Sequence, residues 1–424
     1  MMQHPKERRR PLNRREFLRR AGATGIAVPS LAAILAACGN DGGGGDGGTS
    51  GGGQALQLAS PDNPVTLPIP QTNQPIADGL RPEAGPLKIF GYNDYIWNRV
   101  RKAFSAQYGV EVEYTVFDTP EEMVSKLQSG SGDFDLIVSI TVENVGKLAA
   151  GELIQPLNRT YLPNFDGVWD KFKDPFYDKG AQFTVPYTVY TTGIVYRNDL
   201  VSEDLAALDN PYDALWDTKY ASEGVHLLNG ARDTISAALL RMGEDVNTTD
   251  TTVLDSAQQM LLEGVDSMNW KFDHVDYNEL GTFVIHQTWG GQVSYYKYYL
   301  PDGVDIGDFT YVWPPQTSSS AQGIITNDML AIPKGAPNPV LAHTMMDFLL
   351  EPRYANLNYS YEGFQPPINE ITSESILADG LVPEEISNIL LTPEDFDLGV
   401  QQLELPPASN QQWQQIYTEV TGGA

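Results

Sequence analysis

Residues 87–139 read LKIFGYNDYIWNRVRKAFSAQYGVEVEYTVFDTPEEMVSKLQSGSGDFDLIVS, and the alternating periods inside this stretch decide the fold. Leu87-Lys88-Ile89-Phe90-Gly91-Tyr92 is an apolar run of strand length. Val100, Ala103 and Phe104 then recur at helical spacing across residues 95–108, and Gly109 supplies the stop. Val110-Glu111-Val112-Glu113-Tyr114 alternates as a strand, residues 121–127 return to helical spacing, and Phe134-Asp135-Leu136-Ile137-Val138 is an apolar strand ending at Ser139. Strand, helix, strand, helix, strand predicts right-handed crossovers and a mostly parallel sheet.

Working outward, a second series of the same kind follows. Strands are expected at 193–196, 224–228 and 284–289, the last entering Gly290-Gly291, with helices at 234–242 and 251–262. Ile324-Ile325 and Met329-Leu330-Ala331-Ile332-Pro333 read as apolar strand, followed by a helix over 339–350. Two α/β lobes with a hinge and a ligand cleft between them is the simplest assembly for 424 residues.

The N-terminus reads as an address. Asn13-Arg14-Arg15-Glu16-Phe17-Leu18-Arg19 resembles a twin-arginine export signal. The apolar run from Ala21 to Ala37 is shorter than a spanning helix and contains Pro29. It ends at Leu35-Ala36-Ala37-Cys38-Gly39, which resembles a lipobox, so Cys38, the single cysteine, is expected to be the lipidated first residue of the mature chain. That leaves no disulfide and no catalytic cysteine. The Gly-rich and Pro-rich stretch 38–85 is expected to be a tether. The expected organisation is signal 1–37, tether 38–85, one lobe from 86–190 plus 322–368, and the other from 191–321 plus 369–424.

Residues 1–37 hold eight of the 27 Lys/Arg and two of the 55 Asp/Glu, leaving the remainder with a net charge of −34. Nucleic acid and anionic lipid head groups are therefore poor partners, while a cationic ligand is compatible. Enzyme signatures are missing. The Gly48-Thr49-Ser50-Gly51-Gly52 string lies in the tether without a strand-turn-helix setting. His226, His274, His286 and His343 are scattered without metal-ligand spacing, and no phosphate-binding loop occurs, so neither metal nor cofactor is expected and any ATP hydrolysis belongs to a separate subunit.

The segments resemble the spermidine/putrescine-binding proteins of ABC importers, within the two-lobed periplasmic binding proteins, over most of residues 87–370. The resemblance is carried by Tyr92-Asn93-Asp94-Tyr95, Phe134-Asp135-Leu136-Ile137-Val138, Val185-Pro186-Tyr187, Leu228-Asn229-Gly230-Ala231-Arg232-Asp233, Trp289-Gly290-Gly291, Asn327-Asp328-Met329-Leu330-Ala331-Ile332-Pro333 and Glu362-Gly363-Phe364-Gln365-Pro366-Pro367. It implies an exported binding protein, monomeric and lipid-anchored on the outer face of the cytoplasmic membrane, that delivers a polyamine to permease subunits. It also implies a site with Asp94 and Asp233 as acids and Tyr92, Tyr95 and Trp289 as aromatic walls, with Asn93, Thr141, Tyr190, Asp328 and Gln365 added by position. Such residue types suit the ligand: ammonium groups leaving water need carboxylates, and the methylene chain needs aromatic faces that also attract cations. Two positions depart from the family: Ile140 where a small hydroxyl residue is common, and Gly230 where an acid is common.

Other readings stand beside these. Asp94 can be the cap of a helix starting near Tyr95, Asp233 a first-turn acid favoured by the helix dipole, and Trp289 a core residue. Tyr295-Tyr296 would suit a ferric-ion-binding protein of the same fold, or the tyrosines can be one packed aromatic face. A sugar would use the same aromatics.

Overall fold

The computed structural model describes residues 56–130, 133–273, 280–317 and 320–422. The proposed export signal, Cys38 and the first part of the tether lie outside these residues.

The first series forms as its periods predict. Strand β1 (Leu87–Gly91), helix α1 (Asn98–Tyr108), strand β2 (Val112–Val116), helix α2 (Pro120–Gln128) and strand β3 (Leu136–Thr141) alternate along the chain. Gly109 ends α1 in the left-handed conformation at φ +69°, where a Cβ would be strained. Thr119 starts α2 by accepting a hydrogen bond from the Glu122 N–H, and Pro120 occupies the first turn, where no amide donor is needed. Helix α3 (Val142–Ala150) and the short strand β4 (Ile154–Gln155) follow.

Two longer strands then depart from the expected short ones. The strand expected at 193–196 is the second half of one long strand, β5 (Val185–Arg197), that begins at the Val185-Pro186-Tyr187 segment. Beyond it come β6 (Val225–Leu228), α4 (Ala231–Met242), α5 (Thr251–Met268), β7 (Lys271–Asp273), β8 (Ile285–Trp289), α6 (Gly290–Tyr295) and β9 (Phe309–Val312). The two apolar runs near 324–333 are likewise one strand, β10 (Ile324–Pro333), followed by α7 (Pro339–Leu350), α8 (Pro352–Glu362), α9 (Ser373–Ala378) and α10 (Pro407–Gly422).

The strand order is β2-β1-β3-β10-β5-β8-β6-β7, with β4 beside β10 and β9 beside β5. At one end β1 is parallel to β2 and β3. At the other β6 is parallel to β7 and β8. Between them β5 and β10 run antiparallel over Val185 to Thr192, and the rest of β5 pairs with β8 and β9. Each long strand therefore belongs to both lobes, which is why period alone split it in two.

Both faces of the sheet are covered, so its strands are nearly continuously apolar. In the first lobe one core holds Leu87, Ile89, Phe104, Leu136 and Leu341, and the opposite one holds Phe90, Phe134, Ile137, Ile140 and Met329. In the second, one core gathers Ile194, Leu227, Leu239 and Trp413, and the other Val195, Tyr296, Phe309 and Ile389. The tail after 368 supplies both of these last cores.

The expected tether is shorter than its composition suggested. Val65 and Leu67 are buried in the first lobe, the Val65 N–H donates to Phe176 O at 2.7 Å, and Asn73 Nδ2 donates to Ile154 O at 2.8 Å. The Glu83 carboxylate accepts from the Leu341 N–H at 2.8 Å in the first turn of α7, where the helix dipole favours an anion. Residues 56–85 are thus a packed outer strap whose polar composition hides a few buried anchors.

Candidate functional site: an acid and aromatic cluster where the long strands cross

Asp328 sits in the middle of β10 between two irregularities. The β10/β3 register passes from Met329↔Ile140 to Leu330↔Val138, leaving Ser139 as an extra residue. The β10/β5 register passes from Asp328↔Thr188 to Met329↔Pro186, leaving Tyr187 as another. Bulges re-aim side chains. Ser139 holds φ +76°, rare for a residue with a Cβ, and its hydroxyl donates to Asp328 Oδ2 at 2.6 Å. Tyr95 donates to the same oxygen at 2.7 Å, and Tyr190 to Oδ1 at 3.1 Å. All three partners are neutral, and no ion pair among the described residues includes Asp328. Burial accordingly raises its pKa, with the Ser139, Tyr95 and Tyr190 hydroxyls opposing that rise.

From Asp328 a row of rings leads toward the second lobe. Tyr190 meets Trp289 edge-on at 6.4 Å and Phe364 at 5.1 Å. The indole of Trp289 hydrogen-bonds Asp233 in the first turn of α4. Burial, then the nearby Glu143 carboxylate, push Asp233 up to about 7, against the pull of Arg232. Arg232 is directed elsewhere: it donates to Leu403 O at 2.9 Å, Val246 O at 3.1 Å and Asn247 Oδ1 at 2.8 Å, and lies over the Trp413 ring.

Glu143 is the acid that sequence reading missed. It stands in the first turn of α3, its Oε2 is buried without a hydrogen-bond partner, and the Arg232 guanidinium approaches no closer than 3.8 Å. Its position just after the third strand was the available signal. Glu362 is buried near Tyr95 and Tyr187, and burial holds its carboxyl well above the usual range.

The expected residues divide clearly. Tyr95, Tyr190, Trp289, Asp233 and Asp328 come together as described, and Tyr92 joins them through its ring contact with Tyr95 at 6.4 Å. Asn93 and Asp94 are exposed, with Asp94 at φ +58° accepting from Asn93 Nδ2 at 3.2 Å. Asp94 is no helix cap: α1 begins three residues later than expected, after Trp97. Thr141 accepts from Asn144 Nδ2 at 2.7 Å within α3 rather than reaching Asp328. Gln365 is a clasp for the tail, donating to Leu391 O at 2.8 Å and accepting from Leu391 N at 2.9 Å. Ile140 is fully buried, and Ser139 beside it supplies the hydroxyl that position lacks. At Gly230 an added Cβ would meet only Asp233 Oδ2 at 3.3 Å, so the position is open to a larger side chain. Tyr295 and Tyr296 do not form a phenolate pair: Tyr295 packs on Tyr299 and Tyr361, and Tyr296 is buried against Phe309.

Known proteins share this architecture. The chain is 26% identical over 306 residues to the spermidine/putrescine-binding periplasmic protein of Escherichia coli, covering 71% of this chain and 81% of that one. It is 24% identical over 280 residues to a putrescine/cadaverine-binding protein of Pseudomonas aeruginosa, covering 64% and 77%. The structure of the spermidine/putrescine ABC transporter substrate-binding protein of Streptococcus pneumoniae superposes with a TM-score of 0.64 at 22% identity, covering 79% of this chain and 98% of that one. With residues 99–383 matching the family described as bacterial extracellular solute-binding protein, and with the two-lobed fold shared, this chain belongs to that family.

Proposed function

We propose that this protein is an exported, lipid-anchored binding protein that captures a polyamine between its lobes and delivers it to the permease of an ABC importer. One observation carries the reading: Asp328 and Asp233 stand at the two ends of a row formed by Tyr190 and Trp289, with neither acid neutralised by a contacting cation. An acid at each end and π faces between is the complement of a linear diamine, whose ammonium groups need charged acceptors on leaving water and whose methylenes need apolar cover. The buried, donor-free Oε2 of Glu143 provides a further acceptor beside Asp233. The ligands for which the relatives are named, spermidine, putrescine and cadaverine, support the same class.

Binding here involves no chemistry. A ligand that touches both lobes only when they close stabilises the closed form, and that form docks on the permease. In this proposal the twin-arginine motif and Cys38 support export and lipid anchoring on the outer face of the cytoplasmic membrane, where the protein acts as a monomer.

The test is isothermal titration of residues 54–424 with putrescine, spermidine and spermine at physiological salt. Saturable one-site binding at micromolar or lower concentration is expected for at least one of them. No heat with any of the three would leave the fold standing and overturn the ligand class.

A further inference from the structure

Three residues of the second lobe meet on one face of its sheet, away from the cluster described above. His226 lies on β6 directly across from His286 on β8. Asp273 ends β7, diagonal to His226 on the other side. One ligand-type atom from each lies within 4.8 Å of the others. His226 Nδ1 is 3.3 Å from Asp273 Oδ2, and His286 Nε2 is 3.5 Å from Asp273 Oδ1.

These separations are informative. Four ligands at about 2.0–2.1 Å around a tetrahedral ion stand about 3.3 Å apart along each edge. The two imidazole–carboxylate separations, 3.3 and 3.5 Å, match such an edge, while His286 and Asp273 make no hydrogen bond with each other. His286 is 1% exposed, and both of its ring nitrogens lack a hydrogen-bond partner, as does Asp273 Oδ1. Leaving three buried polar atoms without a hydrogen-bond partner is costly, because each has given up its hydration for nothing in return.

We infer that His226, Asp273 and His286 form a binding site for a divalent transition-metal ion of the zinc class. Two imidazoles and one carboxylate are a borderline donor set suited to such an ion, and three protein ligands leave a fourth position for water. A surface cavity of about 380 Å³, lined by Glu223, His226, Lys271 and Thr282, gives a path from solvent to His226. Lys271 stands at Asp273 Oδ2 at 3.1 Å, and its side chain is 45% exposed, so the ion takes the place of an ammonium that can swing outward. Phe283 closes the site by packing on both imidazoles, at 5.7 Å from His226 and 5.2 Å from His286. Sequence spacing conceals the trio because its members come from three strands, with the two helices α4 and α5 between the first and the second.

The full chain, stripped with a chelator and dialysed, is titrated with zinc chloride by calorimetry and with cobalt(II) by visible absorption. Expected are a single zinc equivalent, a strong tetrahedral cobalt band, and a higher thermal midpoint with zinc. His226→Ala and Asp273→Asn each weaken zinc binding at least tenfold with unchanged circular dichroism, whereas Asp233→Asn binds zinc as the parent does. His286→Ala is a third variant, but its buried position makes the other two the decisive pair. No saturable zinc binding by the parent chain overturns the proposal, and so does binding that survives intact in both His226→Ala and Asp273→Asn.

Discussion

Asp328 and Asp233 should answer differently to losing a charge. Asp328 accepts three hydroxyl bonds inside the strand crossing, so Asp328→Asn replaces an acceptor oxygen by a donor facing Ser139 or Tyr190. The expected cost is about 1–3 kcal/mol of stability in the empty protein, measured by urea unfolding, together with loss of polyamine binding. Asp233 is less entangled, and Asp233→Asn should weaken binding by more than about 1 kcal/mol with the empty protein no less stable. Its pH behaviour gives a second handle. Burial raises Asp233, like Glu404, to about 7. A raised acid holds its proton longer in the folded state, so the stability it contributes is complete below the unfolded pKa and is lost as pH rises toward about 7. The empty protein's thermal midpoint should therefore fall more steeply from about pH 5 to about pH 8 in the parent than in Asp233→Asn. Polyamine affinity should run the other way, about tenfold weaker one unit below the Asp233 pKa, with proton release on binding in calorimetry at about pH 6 and little at about pH 8.5.

At the scale of elements, the site depends on supports that lie outside it. Phe364, which packs on both Tyr95 and Tyr190, is seated directly over Gly291 in α6, where an added Cβ would come within 2.6 Å of the ring. Gly291→Ala should displace that ring, lowering the unfolding free energy by about 1–3 kcal/mol and weakening polyamine binding, as chemical denaturation and calorimetry would measure. Helix α10 is a second support. Trp413 is fully buried and lies under the Arg232 guanidinium, next to Asp233 in sequence. Trp413→Ala should cost about 3–5 kcal/mol in denaturant unfolding. The helices and short strands around these supports were legible because one apolar face repeats at a fixed period. Helix α7 begins and ends where its spacing and Pro339 predict. The long strands β5 and β10 were not, because two bulges, with Ser139 of β3 and Tyr187 of β5 as the extra residues, interrupt their pairing on either side of Asp328, and a bulge leaves no mark in periodicity.

For the whole molecule, two α/β lobes sharing two strands make an arrangement able to hinge, and closure should be visible as a smaller radius of gyration by small-angle scattering at saturating polyamine. An unchanged profile would mean that the ligand binds without closing the lobes. Sequence by itself determined the α/β class and the two series of crossovers, because these follow from local period, while the acids and aromatic residues proposed for the site were expected from the resemblance to the spermidine/putrescine-binding proteins. Tertiary structure alone decided which acids stand near one another. Asp94 falls away into solvent, Glu143 enters beside Asp233, Ser139 takes the hydroxyl role that Ile140 vacates, and Gln365 is spent on the tail. It also brought His226, Asp273 and His286 together from separate strands. The physical reason is common to all of these: side-chain direction at a bulge, a strand crossing or a register match depends on the partner strand, and the partner lies far away along the chain.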